Sequence, residues 1–420
     1  MLVIKEIQIK NFKSIKKMKL ELGRVNVFIG ENGSGKSNIL EAIALAGAGA
    51  AGKLDNEFLA SRGIRAAEPK HMRCAFGAEN SASDISISIT STDNTRVTFE
   101  LAHDGRPYSS WKIKSSGEAS LTLKASRLLE IFEKMLAEKS ANESTDGPLS
   151  LLANSLGSDK LAEVISDLRK IDNAREEDAE IILKSTSDGS PSTDNSEVVR
   201  RAREFVIYSP ENQSLRIFER EGQIEPLGIR GEGLLKFLQV LNGDPAYTDI
   251  FTSIRTKLKV LGWFNDFLVP AHEVNIASKI EIKDRYLSES SGSLDQISAN
   301  EGFLFLLFYF CLFSTELTPS FFAVDNVDAS LNPRLCAHLA CELTKLAKEN
   351  DKQVILTTHN PATLDGLDLN DEDQRLFVVS RGDTGETKIR RIKKKQGSAS
   401  EAKLSTAFIN GYLGGLPKSF

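Results

Sequence analysis

Between Leu2 and Lys10, apolar and polar positions alternate, with Leu2, Ile4, Ile7 and Ile9 set against Lys5, Gln8 and Lys10, the period of a half-buried strand. Asn11-Phe12-Lys13-Ser14 interrupts this pattern and Met18 to Leu22 resumes it, so two antiparallel strands are expected. A short, wholly apolar run, Val27 to Ile29, then leads into Gly30 and a helical stretch from Ser37 to Leu45. Strand-like segments bounded by turn residues follow at Arg73–Phe76, Asp84–Ser91, Arg96–Leu101 and Ser110–Lys114 and predict an antiparallel β-lobe.

From Ala125 the spacing becomes helical: Leu128-Leu129, Ile131-Phe132 and Met135-Leu136 form one stripe, and Leu161, Val164-Ile165 and Leu168 repeat it. Residues 126–199 carry 16 Asp/Glu against 8 Lys/Arg, so this insertion is expected to be acidic and solvated. Its apolar seams are too broken for a long coiled coil. Lys184 to Ser196 reads as a flexible linker by its Ser, Thr, Asp and Gly content. Phe205–Tyr208 returns to strand, residues 230–265 carry helical spacing, and Val274–Lys283 leads toward an apolar helix at Phe303–Phe313. A strand at Phe321–Val324, a helix at Leu335–Ala347 and strands at Gln353–Thr358, Arg375–Ser380 and Lys388–Ile392 complete the pattern. The expected organisation is an N-terminal lobe over 1–124, an acidic helical insertion and linker over 125–204, a second lobe over 205–396 and a tail over 397–420.

Candidate chemistry concentrates where strands end. Gly30-Glu31-Asn32-Gly33-Ser34-Gly35-Lys36-Ser37 has the spacing of a phosphate-binding loop between a strand and a helix. Its glycines let backbone N–H groups approach phosphate oxygens, Lys36 can reach the outer phosphates, and the Ser37 hydroxyl can ligate Mg²⁺. Asn38 follows Ser37 in the first turn of the helix whose positive end faces the same anion. These residues imply ATP and Mg²⁺ as ligands. Phe321-Phe-Ala-Val-Asp325 is a buried strand ending in a carboxylate, the way a Mg²⁺-orienting Asp is presented.

A strand reading I-x-I-x-N-F-K-S, a second strand and then G-E-N-G-S-G-K-S-N-I-L-E-A-I resembles the opening of the SMC/RecF-type ABC ATPases, including the OLD-like and PtuA/AriA-like ATPases of prokaryotic defence operons. The resemblance covers residues 1–60 and 295–380 by motif. It implies an α/β P-loop NTPase head of ABC type with an antiparallel β-lobe and a helical insertion. It makes Lys13 a candidate phosphate contact and Asn300-Glu301-Gly302 a signature turn facing the nucleotide of a partner head, with Asn300 departing from the usual Ser or, in another register, Ser298 supplying the Ser with two residues displaced. Ser330-Leu331-Asn332-Pro333 is similar to a D-loop, and His359, in T-T-H-N-P, to a switch histidine at the γ-phosphate. A Gln that such heads place in the β-lobe has no clear counterpart; Glu79 or Asn80 could stand in.

The resemblance also implies that Asp325 is followed by a Glu acting as general base. Asn326 stands there instead. An amide can orient water but cannot take its proton, and Asp328 lies about 7 Å further along an extended segment, so slow hydrolysis is expected.

A net charge of −5 argues against a protein that coats nucleic acid over its whole surface, while Arg390-Arg391 with Lys393-Lys394-Lys395 leaves a local basic patch open to nucleic acid. Cys74, Cys311, Cys336 and Cys341 lack metal-site spacing and read as small buried thiols. The longest apolar stretch falls well short of the ~20 residues of a membrane span, and the N-terminus lacks secretory features, so no membrane contact and a cytoplasmic location are expected. With about 60 residues after His359, a Toprim nuclease domain of the OLD type is not expected. The favoured expectation is therefore an ATPase sensor or regulator, a homodimer or higher homo-oligomer through its ATP sites, acting on a separate nuclease or toxin. A RecF-like DNA-repair clamp and a nucleotide-gated scaffold with little hydrolysis are the alternatives.

Overall fold

A computed structural model describes residues 3–65, 67–76, 83–106, 109–124, 180–189, 196–218, 223–269, 279–288, 292–393 and 403–416. At its centre is a six-stranded sheet in the order β15-β14-β3-β13-β12-β8. The strands are β3 (Val25–Ile29), β8 (Ile207–Tyr208), β12 (Phe321–Val324), β13 (Gln353–Thr358), β14 (Gln374–Arg381) and β15 (Thr387–Ile392). All neighbours are parallel except β14 and β15. Strands β3, β12 and β13 are buried at every position, as continuous apolar runs in a parallel sheet covered on both faces should be.

Alternate residues of these strands serve two different cores. Val25, Val27 and Ile29 face one cluster with Phe322, Val324, Val354 and Leu356, while Phe28 joins Phe321, Ala323 and Ile355 on the other side. The second side is covered by α1 (Lys36–Ala50), and the short helices α2 (Asn56–Ser61) and α3 (Pro69–Met72) follow it. Helix α4 (Glu197–Glu204) also packs on α1, so closely that a Cβ on Gly47 would lie 2.2 Å from the Ala202 carbonyl oxygen. The first side is covered by α5 (Leu234–Gly243), α6 (Thr248–Leu258), α7 (Glu301–Ser314) and α8 (Pro333–Glu349). Helix α7 is buried from Gly302 to Ser314, and each large apolar side chain there contributes about 1.5–3 kcal/mol on leaving water. Among the described residues, no helix is long and apolar enough to cross a membrane.

A second six-stranded sheet, β2-β1-β4-β5-β6-β7, is antiparallel throughout. It comprises β1 (Ile4–Phe12), β2 (Ile15–Glu21), β4 (Ile85–Ser91), β5 (Thr95–Ala102), β6 (Lys112–Lys124) and β7 (Glu180–Gly189). Gln353 joins the two sheets: its buried amide accepts from Ile4 N at 2.9 Å and donates to the carbonyls of Ile4 and Gly23 at 2.7 and 2.8 Å. A small sheet of β9 (Phe264–Leu268), β10 (Glu281–Asp284) and β11 (Leu294–Asp295) lies before α7.

The antiparallel lobe and the strand–loop–helix unit match the sequence pattern, with three corrections. Lys184 to Gly189 is not linker but part of β7, which pairs with β6 along its whole length because a partner strand satisfies its backbone despite its polar composition. Arg73–Phe76 forms no strand; Arg73 makes a single bridge to Phe12. Helix α4 belongs to the α1 layer rather than to an insertion. The helical stripes expected from Ala125 to Leu168, and Glu79 and Asn80, lie outside the described residues.

Candidate active site

Strand β3 delivers the chain to Gly30, and the loop to Lys36 turns at the carboxyl edge of the parallel sheet. Gly33 and Gly35 adopt φ of 74° and 105°, the left-handed region that glycine enters without steric cost. Helix α1 starts after Gly35 with no side-chain cap, so its first N–H groups remain directed at the loop's hollow. The Lys36 ammonium folds back, donating to the carbonyls of Gly30 at 2.8 Å and Glu31 at 3.0 Å. Burial lowers its pKa to about 8, against the opposing pull of Asp325, Asp328 and Glu31.

The neighbouring strand ends bring the remaining groups. The Ser37 hydroxyl donates to Asp325 Oδ2 at 3.0 Å, and the Thr357 hydroxyl donates to the other carboxylate oxygen. The Asn326 N–H donates to the Thr357 hydroxyl at 2.9 Å. His359 follows β13; its N–H donates to Asp328 Oδ1 at 3.4 Å, and its ring lies against the Gly30 carbonyl that also holds Lys36. Burial, and then the Lys36 cation, hold the imidazole below its usual pKa, opposed by Asp328 and Asp325. Lys36, Ser37, Asp325, Asp328 and His359 therefore surround one small space.

A glycine-lined loop, an uncapped helix start, a buried cation and a hydroxyl–carboxylate pair suit a triphosphate with its Mg²⁺. Ser34 strengthens the fit, because its buried hydroxyl has no hydrogen-bond partner among the described residues. Glu31 and Asn32 lie at the rim, Asn32 exposed.

Lys13 and Asn38 turn away from the loop, and the Asn300-Glu301-Gly302 turn, expected to face the nucleotide of a partner head, makes its contacts elsewhere in its own chain. Lys13 does not touch the loop: its ammonium pairs with Glu41 on α1. Asn300 caps its own helix, accepting from Phe303 N at 3.4 Å, and Gly302 packs against Ser330 and Leu331. Among the described residues no hydrogen bond or ion pair links Asn300, Glu301 or Gly302 to the phosphate loop. Asn38 turns toward the antiparallel lobe and donates to Ser14 Oγ at 2.6 Å. The basic patch is partly committed as well, since Arg391 pairs with Glu372 at 2.6 Å and Arg390 donates to the Leu413 carbonyl.

The pattern of the sequence missed the support beneath the loop. Thr387 is 3% exposed, and its Oγ1 lies 3.1 Å from the Ser34 carbonyl and 2.6 Å from Ser14 Oγ. Arg381 donates to the Gly33 carbonyl at 2.8 Å. A Cβ on Gly35 would lie 2.0 Å from the Thr387 hydroxyl and one on Gly30 2.0 Å from the Val379 carbonyl oxygen, so the β14–β15 hairpin sets how closely the loop can lie.

Residues 6–224, just over half of the chain, match the family model described as AAA domain. The chain belongs to the AAA domain family. Residues 270–365 of this AAA domain protein match a second model, described as AAA domain, putative AbiEii toxin, Type IV TA system. The two matches fall on the two halves of the site, with the phosphate loop in the first and Asp325 and His359 in the second. A curated relative, the uncharacterized protein MJECL10 of Methanocaldococcus jannaschii, is 52% identical over 44 residues, 10% of this chain and only 20% of that protein. Solved structures with a similar layout include an SMC head bound to the C-terminal winged-helix domain of ScpA, at 15% identity, 94% and 98% coverage and a TM-score of 0.49. The SMC head of Thermotoga maritima matches at 15% identity, 93% and 99% coverage and 0.42. An SMC head with an extended coiled coil, bound to a ScpA domain derived from Pyrococcus furiosus, matches at 14%, 94% and 97%, and 0.46. The P-loop NTPase assignment rests on the family match together with the strand order and loop geometry above.

Proposed function

We propose that this AAA domain protein is an ATP-hydrolysing head whose ATP-dependent self-association controls a separate effector, as sensor or regulatory subunit of an antiphage system similar to the OLD-like, PtuA and AriA ATPases. The observation that carries the nucleotide role is the meeting of Lys36, Ser37, Asp325 and His359 around one phosphate loop. The link to defence is supported by the AbiEii description of the match over residues 270–365.

In this reading the backbone from Gly30 to Asn38 cradles the phosphates, and Lys36 exchanges its two carbonyl partners for phosphate oxygens. Ser37 and Asp325 hold Mg²⁺, which when bound neutralises charge on the phosphates. His359, neutral at pH 7, faces the terminal phosphate as a hydrogen-bond partner. The Asn300-Glu301-Gly302 turn, tied up within its own lobe, offers a helix start to the nucleotide of a second copy. Asn326 orients water, and Asp328, already near His359, is the carboxylate available to take its proton.

A second reading, a nucleotide-gated scaffold with little turnover, is favoured by Asn326 alone. Light scattering with ATP and Mg²⁺ tests the association: the native chain should shift to a larger species and Lys36→Ala should not. Phage challenge of cells carrying the gene with its neighbours tests the rest. Protection that survives Lys36→Ala would sink the regulatory role, and ATP-stimulated, salt-sensitive DNA binding without any effect on phage would favour a repair clamp.

A further inference from the structure

Arg216 ends a short 3₁₀ turn, Ser214–Arg216, in the loop that follows β8. Its guanidinium closes on one stretch of backbone: Nη1 donates to the carbonyls of Gln296 at 2.6 Å and Ile297 at 2.5 Å, and Nη2 to that of Ala299 at 2.9 Å. Nε donates to Asn212 Oδ1 at 2.8 Å, so four of the five N–H groups in its planar fork are engaged. The turn carrying it is held against the core, since Leu215 is fully buried and a Cβ on Gly231 would lie 2.4 Å from the Leu215 side chain. It is also tied to the chain's own site, because β8 pairs with β12 and the Tyr208 carbonyl accepts from Asp325 N at 2.7 Å.

The three carbonyls belong to the residues that lead into Asn300, the cap of α7. Gln296 and Ala299 are buried, so their carbonyls need a partner within the protein. Ile297 is 64% exposed, and water would serve its carbonyl equally well. That bond therefore does more than satisfy a buried group: it fixes the direction of the loop. Upstream support is thin, since β11 is two residues long. Downstream, α7 is buried from Gly302 to Ser314 and locked in the close-packed core. Between them, the aim of the helix start at Asn300 rests on Arg216, whose charge also adds to the positive end of the helix.

We propose that Arg216 is a positioning residue for ATP-dependent association: it holds residues 296–299 so that the Asn300-Glu301-Gly302 turn meets the nucleotide of a second copy, and it takes no part in binding the chain's own nucleotide. The proposal rests on the reading above, in which that turn serves a second copy. The fork matters as well as the charge, because a Lys ammonium is a flexible point charge and cannot hold three carbonyls in a fixed fan.

The test compares two measurements on the full chain. A fluorescent ATP analogue titrated with Mg²⁺ into dilute protein reads the chain's own loop, and Arg216→Ala should leave that affinity native. Light scattering at increasing protein concentration with ATP and Mg²⁺ reads association, which Arg216→Ala should weaken about tenfold or more, as misplaced groups do. An equimolar mixture of Arg216→Ala and Lys36→Ala chains should associate more strongly than either alone, because the loaded loop of one then meets the intact turn of the other. Native association by Arg216→Ala, a parallel fall in its ATP affinity, or a mixture no better than the separate chains overturns the proposal. If Arg216→Ala lacks a cooperative melt, Arg216→Lys decides: it should weaken association several-fold at native ATP affinity, and native association overturns the proposal. A native chain that stays monomeric with ATP sinks the reading above, a result distinct from the failure of Arg216 alone.

Discussion

Ser37 and Asp325 are 288 positions apart in the chain and joined by a 3.0 Å hydrogen bond. The hydroxyl and the carboxylate proposed to share a Mg²⁺ are already within reach of each other, with Thr357 and Asn326 extending the chain of contacts. Ser37→Ala and Asp325→Asn should each lower Mg²⁺-dependent ATP affinity on the order of 10–100-fold, the scale seen when groups that hold or orient a metal are lost. Titration with and without a chelator separates this from phosphate binding. An equal loss in both conditions would show that the pair acts on something other than the metal.

Lys36 links binding to pH. Its pKa of about 8 reflects burial, and an incoming polyanion should raise it. Binding should therefore take up a proton, and ATP affinity should decline as pH rises above about 8. Calorimetry in buffers of different ionisation enthalpy measures the uptake. A pH-independent affinity between pH 7 and 9.5 would contradict a buried, titrating Lys36.

His359 has the opposite consequence for stability. Its folded pKa lies below the ordinary histidine value of 6.5, so the unfolded chain binds the proton more readily. Its contribution is intact above pH 6.5 and diminishes as pH falls toward the folded pKa. Melts of the native chain and His359→Gln between pH 5 and 8 should converge at the acidic end, after other carboxylate effects common to both are subtracted.

Asn326 combines a chemical and a conformational role. Its φ of 56° is left-handed, a conformation Asn accepts more readily than most residues with a side chain. Asn326→Glu should raise ATP turnover by supplying the missing base, within the 10²–10⁴-fold that general bases contribute, and should cost about 1–2 kcal/mol of stability for the backbone. Asp328→Asn should abolish what turnover the native chain has. Native activity that survives it would point to a base elsewhere.

The sequence made the chemistry at strand ends legible because each piece is local: apolar run, turn, functional side chain. Gly30 to Ser37, Asp325 and His359 all follow that form, and the parallel sheet brings them together. Thr387 and Ser14 escaped notice because two ordinary hydroxyls 373 residues apart carry no local signature. The polar stretch Lys184–Gly189 misled for the opposite reason, since composition describes side chains while strand pairing satisfies the backbone. Lys13 was legible as a residue beside the site, but its ion pair with Glu41 depends on how the β1–β2 turn packs on α1.

Thr387→Val tests the support under the loop. It keeps the side chain's shape but strands the Ser34 carbonyl and leaves the Ser14 hydroxyl with Asn38 alone, at a cost of about 1–3 kcal/mol in the folded state. ATP affinity should fall with it, because the loop's resting geometry depends on those contacts. Thermal melts and nucleotide titration should move together; a lowered melt with native affinity would confine Thr387 to folding.

The same hydroxyl has a practical corollary for anyone hoping to transplant this nucleotide binder. A fragment stopping short of Thr387 would contain every letter of the phosphate-loop motif, its strand and its helix, yet the Ser34 carbonyl would lose its hydroxyl partner and Gly35 the side chain that lies against it. The smallest portable unit is discontinuous, reaching from the β1–β2 hairpin to the β14–β15 hairpin.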